Sequence, residues 1–167
     1  MMSSGNSVCY DYDVLNDLAG GKRELAVWQF HCYIISLKKI SDKLCHDKMI
    51  SWKDIENPLI NPDFLERQKS WSTDIVQYGN IDRTCIEFIY DKDKLEEISC
   101  RLDLRTLTGH DLIQIVEYVQ SIGACFLVND RVYLPELEIM VPLIKRSNAN
   151  LYCKSPPEYF KSIDQGE

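Results

Sequence analysis

Apolar and polar residues alternate through two neighbouring segments, and this alternation is the clearest pattern in the chain. The apolar positions are Ile86, Phe88 and Tyr90 in the first segment and Ile98, Cys100, Leu102 and Leu104 in the second. A period of two residues is that of a strand with one buried and one solvated face. The connection over 91–94 contains no glycine. We therefore predict a β-hairpin over 84–105 with a loose, exposed loop rather than a tight turn.

A helix with a clear start and a clear end follows the hairpin. Thr108 and Asp111 have the spacing of a capping box, in which each residue satisfies the other's backbone amide. The buried row of this helix comprises Leu112, Ile115, Val116, Val119 and Ile122. Gly123 is a typical residue to end it. Two short strands, 125–128 and 131–134, then pair as a second hairpin.

The N-terminal third carries the longest helical pattern. From Glu24 to Asp47 apolar residues recur at helical spacing, and the lysines that collect near the end suit the helix dipole. The segment 49–80 is irregular, because prolines break any long helix there. One short helix is indicated by Asn61 as its cap and Pro62 at its first position.

The C-terminal segment predicts two more helices and a strand. A helix over 136–147 either starts late or kinks at Pro142, because a proline inside a helix costs about 3 kcal/mol. A strand over 151–153 precedes a last helix from Pro156 to Ile163, with Ser155 as its N-cap.

The fold class that these elements predict is α+β. We expect an N-terminal helical part, followed by a mainly antiparallel sheet with helices packed on one face. No linker, repeat or low-complexity segment interrupts the chain, so we expect a single domain over 1–167 with loose ends at 1–6 and 164–167.

Composition narrows the class of partner. The chain has 167 residues, of which 45% are hydrophobic and 27% charged, and its formal net charge is −7. The fractions are those of a globular domain. The negative charge argues against direct nucleic-acid binding, which needs clustered lysine and arginine. It favours a basic partner, since opposite charges steer two proteins together, although solubility alone also explains it.

The cysteines and the apolar runs predict a cytoplasmic protein. There are seven cysteines, an odd number, and they form no CxxC motif, so we expect reduced thiols rather than a disulfide framework. The first residues lack the pattern of a signal peptide. The longest apolar-rich run, 25–37, is interrupted by polar residues and is too short to span a membrane.

No recognisable catalytic or metal-binding motif occurs. The pairs His31-Cys32 and Cys45-His46 would lie about 20 Å apart on the predicted helix, too far to share a metal ion. No local signature supports a Cys/His dyad, the paired carboxylates have the pattern of a solvated surface, and phosphate-binding glycine loops are absent. We therefore expect no catalytic residue, no metal and no cofactor.

The hairpin and the tryptophans of the irregular segment provide the best binding candidates. The acidic loop and the charged face of the second strand would be exposed to a partner, and tryptophan is a frequent interface anchor. The candidate partner-binding residues are Asp91, Asp93, Glu96, Glu97, Arg101, Asp103, Arg105, Trp52 and Trp71. Solvation of the hairpin explains the charged positions nearly as well.

The second half of the chain resembles small bacterial proteins that are encoded beside secreted toxins. The resemblance is carried by Tyr78 to Thr84, Arg101 to Arg105, the amphipathic helix, Tyr133 to Glu136, Lys145 to Ala149 and Pro156 to Phe160. Among such families, the chain looks most like the immunity proteins of contact-dependent growth inhibition (polymorphic toxin) systems.

This resemblance implies a function without catalysis. An immunity protein stays in the cytoplasm, binds its cognate toxin C-terminal domain 1:1, and blocks the active site or substrate surface. Such a toxin is often a nuclease, hence basic, and carboxylates would pair with its lysines and arginines. The resemblance also allows a host protein bound to the toxin as a further partner. The residues alone leave two alternatives open: an acidic regulatory or adaptor protein, and a small hydrolase with a Cys/His or carboxylate pair.

Overall fold

A computed structural model describes residues 26–40, 43–55 and 59–165. In this part of the chain, eight strands and four helices are present. The strands are β1 (Gln29–Ile40), β2 (Lys43–Ile50), β3 (Arg67–Gln68), β4 (Ile75–Gly79), β5 (Cys85–Asp91), β6 (Lys94–Asp103), β7 (Ala124–Val128) and β8 (Arg131–Tyr133). The helices are α1 (Gly109–Ser121), α2 (Leu137–Lys145), α3 (Asn148–Lys154) and α4 (Pro156–Asp164). A 3-10 turn, Trp52–Asp54, follows β2.

The strands form one antiparallel sheet around β1. Their order is β3-β4-β5-β6-β1-β7-β8, and β2 pairs with the far end of β1. Tyr33 in β1 lies opposite Ser99 of β6 on one side and opposite Leu127 of β7 on the other. β1 is therefore hydrogen-bonded along both edges in its middle.

The predicted helix from Glu24 to Asp47 is wrong, and with it the N-terminal helical part of the predicted fold. Gln29–Ile40 and Lys43–Ile50 are strands, and the four helices of the described residues all follow β6. β1 carries apolar residues on both faces, with Phe30, Cys32 and Ile34 on one and Tyr33 and Ile35 on the other, so its apolar run also fits a broad helical stripe. The aromatic and β-branched residues of Tyr33-Ile34-Ile35 favour a strand. The chain is still α+β.

The sheet has one apolar face, which carries the hydrophobic core. Residues directly opposite each other in neighbouring strands share a face. The buried residues of the apolar face include Phe30, Cys32, Ile34, Ile86, Phe88, Ile98, Cys100, Leu102 and Phe126. They pack in one cluster with α1, through Leu112, Ile115, Val116 and Val119, and with Met140 and Ile144 of α2.

The predicted hairpin is confirmed, but its loop is a tight turn. Ile86 lies opposite Cys100 and Phe88 lies opposite Ile98, as the alternation predicts. Lys92 and Asp93 both have positive φ, 48° and 67°, which is the geometry of a two-residue type I′ turn. Glycine or asparagine usually fills such positions, and their absence led the sequence to predict a loose loop.

The predicted start and end of α1 are confirmed. The side chain of Thr108 accepts a hydrogen bond from the Asp111 amide, and the Asp111 carboxylate accepts one from the Thr108 amide at 2.9 Å. Gly123 follows with a φ of 67°. β7 and β8 form the predicted second hairpin.

The remaining predictions of helices and strands have mixed outcomes. Pro142 lies inside α2, which starts at Leu137, so the proline is tolerated within the helix. The predicted strand over 151–153 is wrong, because Asn148–Lys154 is a helix capped by Ser147. Residues 61–65 form turns rather than the predicted short helix. The last helix is confirmed as Pro156–Asp164, although the Ser155 side chain makes no capping bond.

Two further predictions concern the chain ends and membranes. The predicted loose end at 1–6 lies outside the described residues, whereas α4 continues as far as Asp164. Among the described residues, no helix has the length and apolar character needed to cross a membrane.

Candidate partner-binding surface

The predicted charged binding residues lie at separate places along the hairpin. Asp91, Asp93 and Glu96 lie at the turn between β5 and β6, whereas Asp103 lies at the opposite end of β6. Ten residues of strand separate Asp93 from Asp103, a distance of roughly 30 Å. They therefore do not form one contiguous surface.

The far end of β6 is held together by an ion pair between Asp103 and Arg105. Arg105 donates from Nε to Oδ1 and from Nη2 to Oδ2 of Asp103, both at 2.9 Å. Its guanidinium also donates to the Asp82 carbonyl at 3.2 Å and lies 4.1 Å from the ring centroid of Trp28. Gln29 donates to the carbonyls of Ile81 and Arg83. These contacts fasten the 80–84 loop to the sheet.

The buried carboxylate of Asp103 is stabilised in its charged form. Burial alone raises its pKa, but the hydrogen bonds from Arg105 outweigh this effect, so the pKa of Asp103 lies below its usual value. The side chain of Asp103 is fully buried, whereas that of Arg105 is 45% exposed. The expectation that Asp103 lies on a solvated face is wrong, since its partners are internal.

A second polar group is buried in the middle of the same sheet face. Arg101 is 5% exposed, and its Nη2 lies 3.7 Å from a carboxylate oxygen of Glu87. Its Nε has no hydrogen-bond acceptor among the described residues. Beside it, His31 Nε2 lies 3.1 Å from Ser99 Oγ, and the ring packs edge-on against Tyr33. The predicted exposure of Arg101 is therefore also wrong.

The predicted exposure of this face is wrong because strand alternation shows which residues share a face but not whether that face is covered. Polar residues on the second face of an antiparallel sheet are usually solvated. In this protein Gln29, Gln77, Glu87, Ser99, Arg101 and Asp103 are all buried on that face. Glu87 and Arg101 face each other across two strands, as do His31 and Ser99, whereas Asp103 is bound by Arg105 and Gln29 by the 80–84 loop. The pairs between strands can be recognised only once the register is known.

Burial also determines the protonation state of His31. Desolvation, and then the positive charge of Arg101, lower the pKa of His31 to about 4. The imidazole is therefore neutral at pH 7. A neutral imidazole within hydrogen-bond distance of a serine hydroxyl is the arrangement of a general base and a nucleophile, but Ser99 is only 4% exposed.

The two predicted tryptophan anchors lie in opposite environments. Trp52 is buried and donates from Nε1 to the Ile34 carbonyl at 2.9 Å, which ties the 3-10 turn to β1. It is part of the core and is not presented on the surface. Trp71, by contrast, is 67% exposed, the most exposed large hydrophobic side chain of the described residues.

The turn end of the hairpin presents carboxylates directly. Asp91 and Asp93 are exposed beside the tight turn. A register shift in the hairpin leaves Glu96 as an extra residue between the pairs Ile89–Glu97 and Tyr90–Leu95. Such a bulge changes the direction of a side chain, and Glu96 forms an ion pair with Lys53 of the 3-10 turn.

Trp71 lies in a loop that runs beside this end of the hairpin. The Tyr90 amide donates to the carbonyl of Asp74 at 2.8 Å, which places 71–74 next to the last residues of β5. Ser72 accepts the Asp74 amide and shapes the loop. Asp74 is exposed and was not among the predicted site residues. The sequence did contain a signal for the turn at Asp74, because a serine two positions before an aspartate is a common turn signature.

We name this end of the sheet the acidic end. Its members are Trp71 and the carboxylates of Asp54, Asp74, Asp91, Asp93, Glu96 and Glu97. The lysines nearby are Lys53, Lys69, Lys92 and Lys94, and Lys69 is exposed two residues before Trp71. Lys53 is bound by Glu96, and this hydrogen bond raises the pKa of Lys53. Six carboxylates against four lysines leave a net charge of −2 around the loop that carries the exposed indole.

Neither a metal site nor a similar protein of known function helps to assign a function to this surface. Within 26–40, 43–55 and 59–165, no group of three or more His, Cys, Asp or Glu side chains is arranged to hold a metal ion. Comparisons with protein-family models, curated proteins and solved structures found no match.

Proposed function

We propose that this protein is an immunity-type inhibitor that binds the C-terminal domain of a cognate bacterial toxin. The supporting observation is the acidic end, where the loop that carries the exposed Trp71 and Asp74 is hydrogen-bonded to Tyr90, the residue before Asp91. An exposed aromatic anchor on a surface with an excess of carboxylates suits a basic protein surface. The resemblance of the second half to immunity proteins supports the same assignment.

Inhibition in this proposal is by occlusion. A toxin that cleaves RNA or DNA needs lysines and arginines around its active site to hold phosphates. Carboxylates of the acidic end pair with those side chains and occupy the place of the nucleic acid. Trp71 supplies the desolvated contact that slows dissociation, whereas the net negative charge accelerates encounter.

A stable complex tests this proposal. Mixed with the toxin domain encoded beside its own gene, the protein elutes as a 1:1 complex, and the association rate falls about tenfold or more as salt is raised from low to high concentration. Trp71→Ala weakens binding by roughly 2 kcal/mol, about 30-fold. The absence of a complex with that domain contradicts the proposal. A complex with a protein that is not a toxin supports the adaptor alternative instead.

The His31–Ser99 pair favours a small hydrolase as the second candidate function. The 3.1 Å contact places a neutral imidazole beside a serine hydroxyl, as in a general-base and nucleophile pair, although a pKa of about 4 makes His31 a weak base and Ser99 is buried. Covalent labelling by a fluorophosphonate probe tests it. Labelling that is lost in both Ser99→Ala and His31→Gln supports a hydrolase, and unlabelled wild-type protein contradicts one.

A further inference from the structure

A groove between α1 and the start of α2 is separate from the acidic end. Its volume is about 210 Å³, and it is lined by Ile113, Val116, Glu117, Gln120, Glu136, Leu137 and Glu138. The Gln120 side chain donates to the Pro135 carbonyl at 2.7 Å and thus connects α1 to the segment that leads into α2. The groove is therefore built from two helices held in a fixed relation.

The apolar residues of the groove are suited to an aliphatic chain. Val116 is buried and Leu137 half-buried, whereas Ile113 is 39% exposed although it lies in the middle of α1. Ile113 is not part of the hydrophobic core cluster, and part of its apolar side chain is in contact with water. Contact with an apolar group from outside would remove this surface from water.

Three carboxylates surround this apolar surface without a matching cation. Glu117, Glu136 and Glu138 are exposed, and none of them makes an ion pair with a described residue. Glu138 in the first turn of α2 is favoured by the helix dipole. The helix dipole does not favour Glu117, because this residue lies in the second half of α1. Like charges from two helices repel each other around one groove, and a bound cation would relieve that repulsion.

We infer that this groove receives an arginine side chain from the protein's basic partner. Arginine combines a three-carbon apolar stem with a planar cation that pairs with carboxylates through two parallel hydrogen bonds. The stem would contact Ile113, Val116 and Leu137, and the guanidinium would reach the glutamates. The inference rests on the proposed function for the identity of the partner, but the groove's chemistry can be measured without it.

Small probes test the groove directly. N-acetyl-arginine methylamide is titrated into isotope-labelled full-length protein, with N-acetyl-citrulline methylamide as the uncharged probe of the same shape. We expect saturable NMR shifts of Ile113, Val116 and Leu137 in the millimolar range for the arginine probe only. Glu117→Gln and Glu138→Gln should each weaken binding at least about threefold, as loss of a charged partner does. Glu158→Gln on α4 removes one exposed carboxylate elsewhere and should change nothing.

Each other outcome overturns the inference. Equal shifts with both probes mean that the groove does not select a cation, and absent or scattered shifts mean that it is not a site. Unchanged binding in both glutamate variants also overturns it. The NMR spectrum itself verifies that each variant is folded. No toxin is present in the NMR titration, so a negative titration leaves the proposed function intact. Likewise, if no complex with the toxin domain forms, the result of the titration still stands.

Discussion

At the scale of single residues, Gly79, the last residue of β4, is under the tightest backbone constraint of the glycines that the structure describes. Its φ is 80°, and a Cβ there would collide with the carbonyl oxygen of Thr84. We expect Gly79→Ala to lower the free energy of unfolding by about 2–4 kcal/mol, measured by urea denaturation. Gly109→Ala is the matched control, because a Cβ at Gly109 meets nothing within 4 Å and alanine favours a helix. Equal effects of the two substitutions would refute the account of Gly79.

His31 gives the molecule a pH-dependent stability. Its pKa of about 4 when folded lies below the ordinary value of 6.5, so the unfolded chain binds the proton more tightly. The neutral form of His31 therefore contributes to the stability of the folded protein, and this contribution is fully present above pH 6.5 and is lost as the pH falls towards 4. It amounts to roughly 3 kcal/mol. In His31→Gln the free energy of unfolding should therefore fall less steeply over this interval. Parallel pH profiles for the two proteins would contradict the burial of a neutral imidazole.

Residue-level signals were reliable where they depend on neighbours in sequence. The Thr108–Asp111 capping box and the terminating Gly123 could be predicted because their hydrogen bonds are local. The burial of Arg101 and Asp103 could not, since it depends on strands that are distant in sequence. The sequence likewise could not show that Trp52 is buried and Trp71 exposed, because this difference depends on the fold.

At the scale of elements, the two hairpin turns provide an internal comparison. Lys92 in the β5–β6 turn and Asn129 in the β7–β8 turn have nearly the same φ, 48° and 45°. Asparagine adopts this left-handed conformation at lower cost in free energy than lysine does. We expect Lys92→Gly to raise the free energy of unfolding by about 0.5–1 kcal/mol and Asn129→Gly to raise it by less. Chemical denaturation measures both, and a larger gain at Asn129 would contradict the turn assignment.

The central strand shows why element type was harder to predict than element position. The hairpin alternates cleanly on its apolar side, so its period was unambiguous. β1 is paired on both edges and packed on its apolar face, and the apolar run that such a strand requires fits a helix as well. α3 was missed for a different reason, because asparagines near Ser147 indicate a turn and also suit the start of a helix.

At the scale of the whole molecule, charge and fold together determine where a partner can bind. The sequence predicted that Asp91 and Asp93 are exposed, and both are exposed at the acidic end. The sequence also grouped them with Asp103, which lies about 30 Å away because the length of β6 separates the two residues. Only the fold brings Trp71 and Asp74 next to the hairpin, through the hydrogen bond between Tyr90 and Asp74.

The most direct test of the central claim is the growth of cells that express the cognate toxin domain together with this protein. The triple variant Trp71→Ala, Asp91→Asn, Asp93→Asn removes the exposed indole and two carboxylates of the acidic end. Its matched control, Phe160→Ala, Glu158→Gln, Asp164→Asn, removes one exposed aromatic side chain and two carboxylates from α4. We predict that wild type and control protect the cells, whereas the triple variant accumulates as folded protein and does not. Protection by the triple variant equal to that of wild type, or no protection by wild type, would contradict the account.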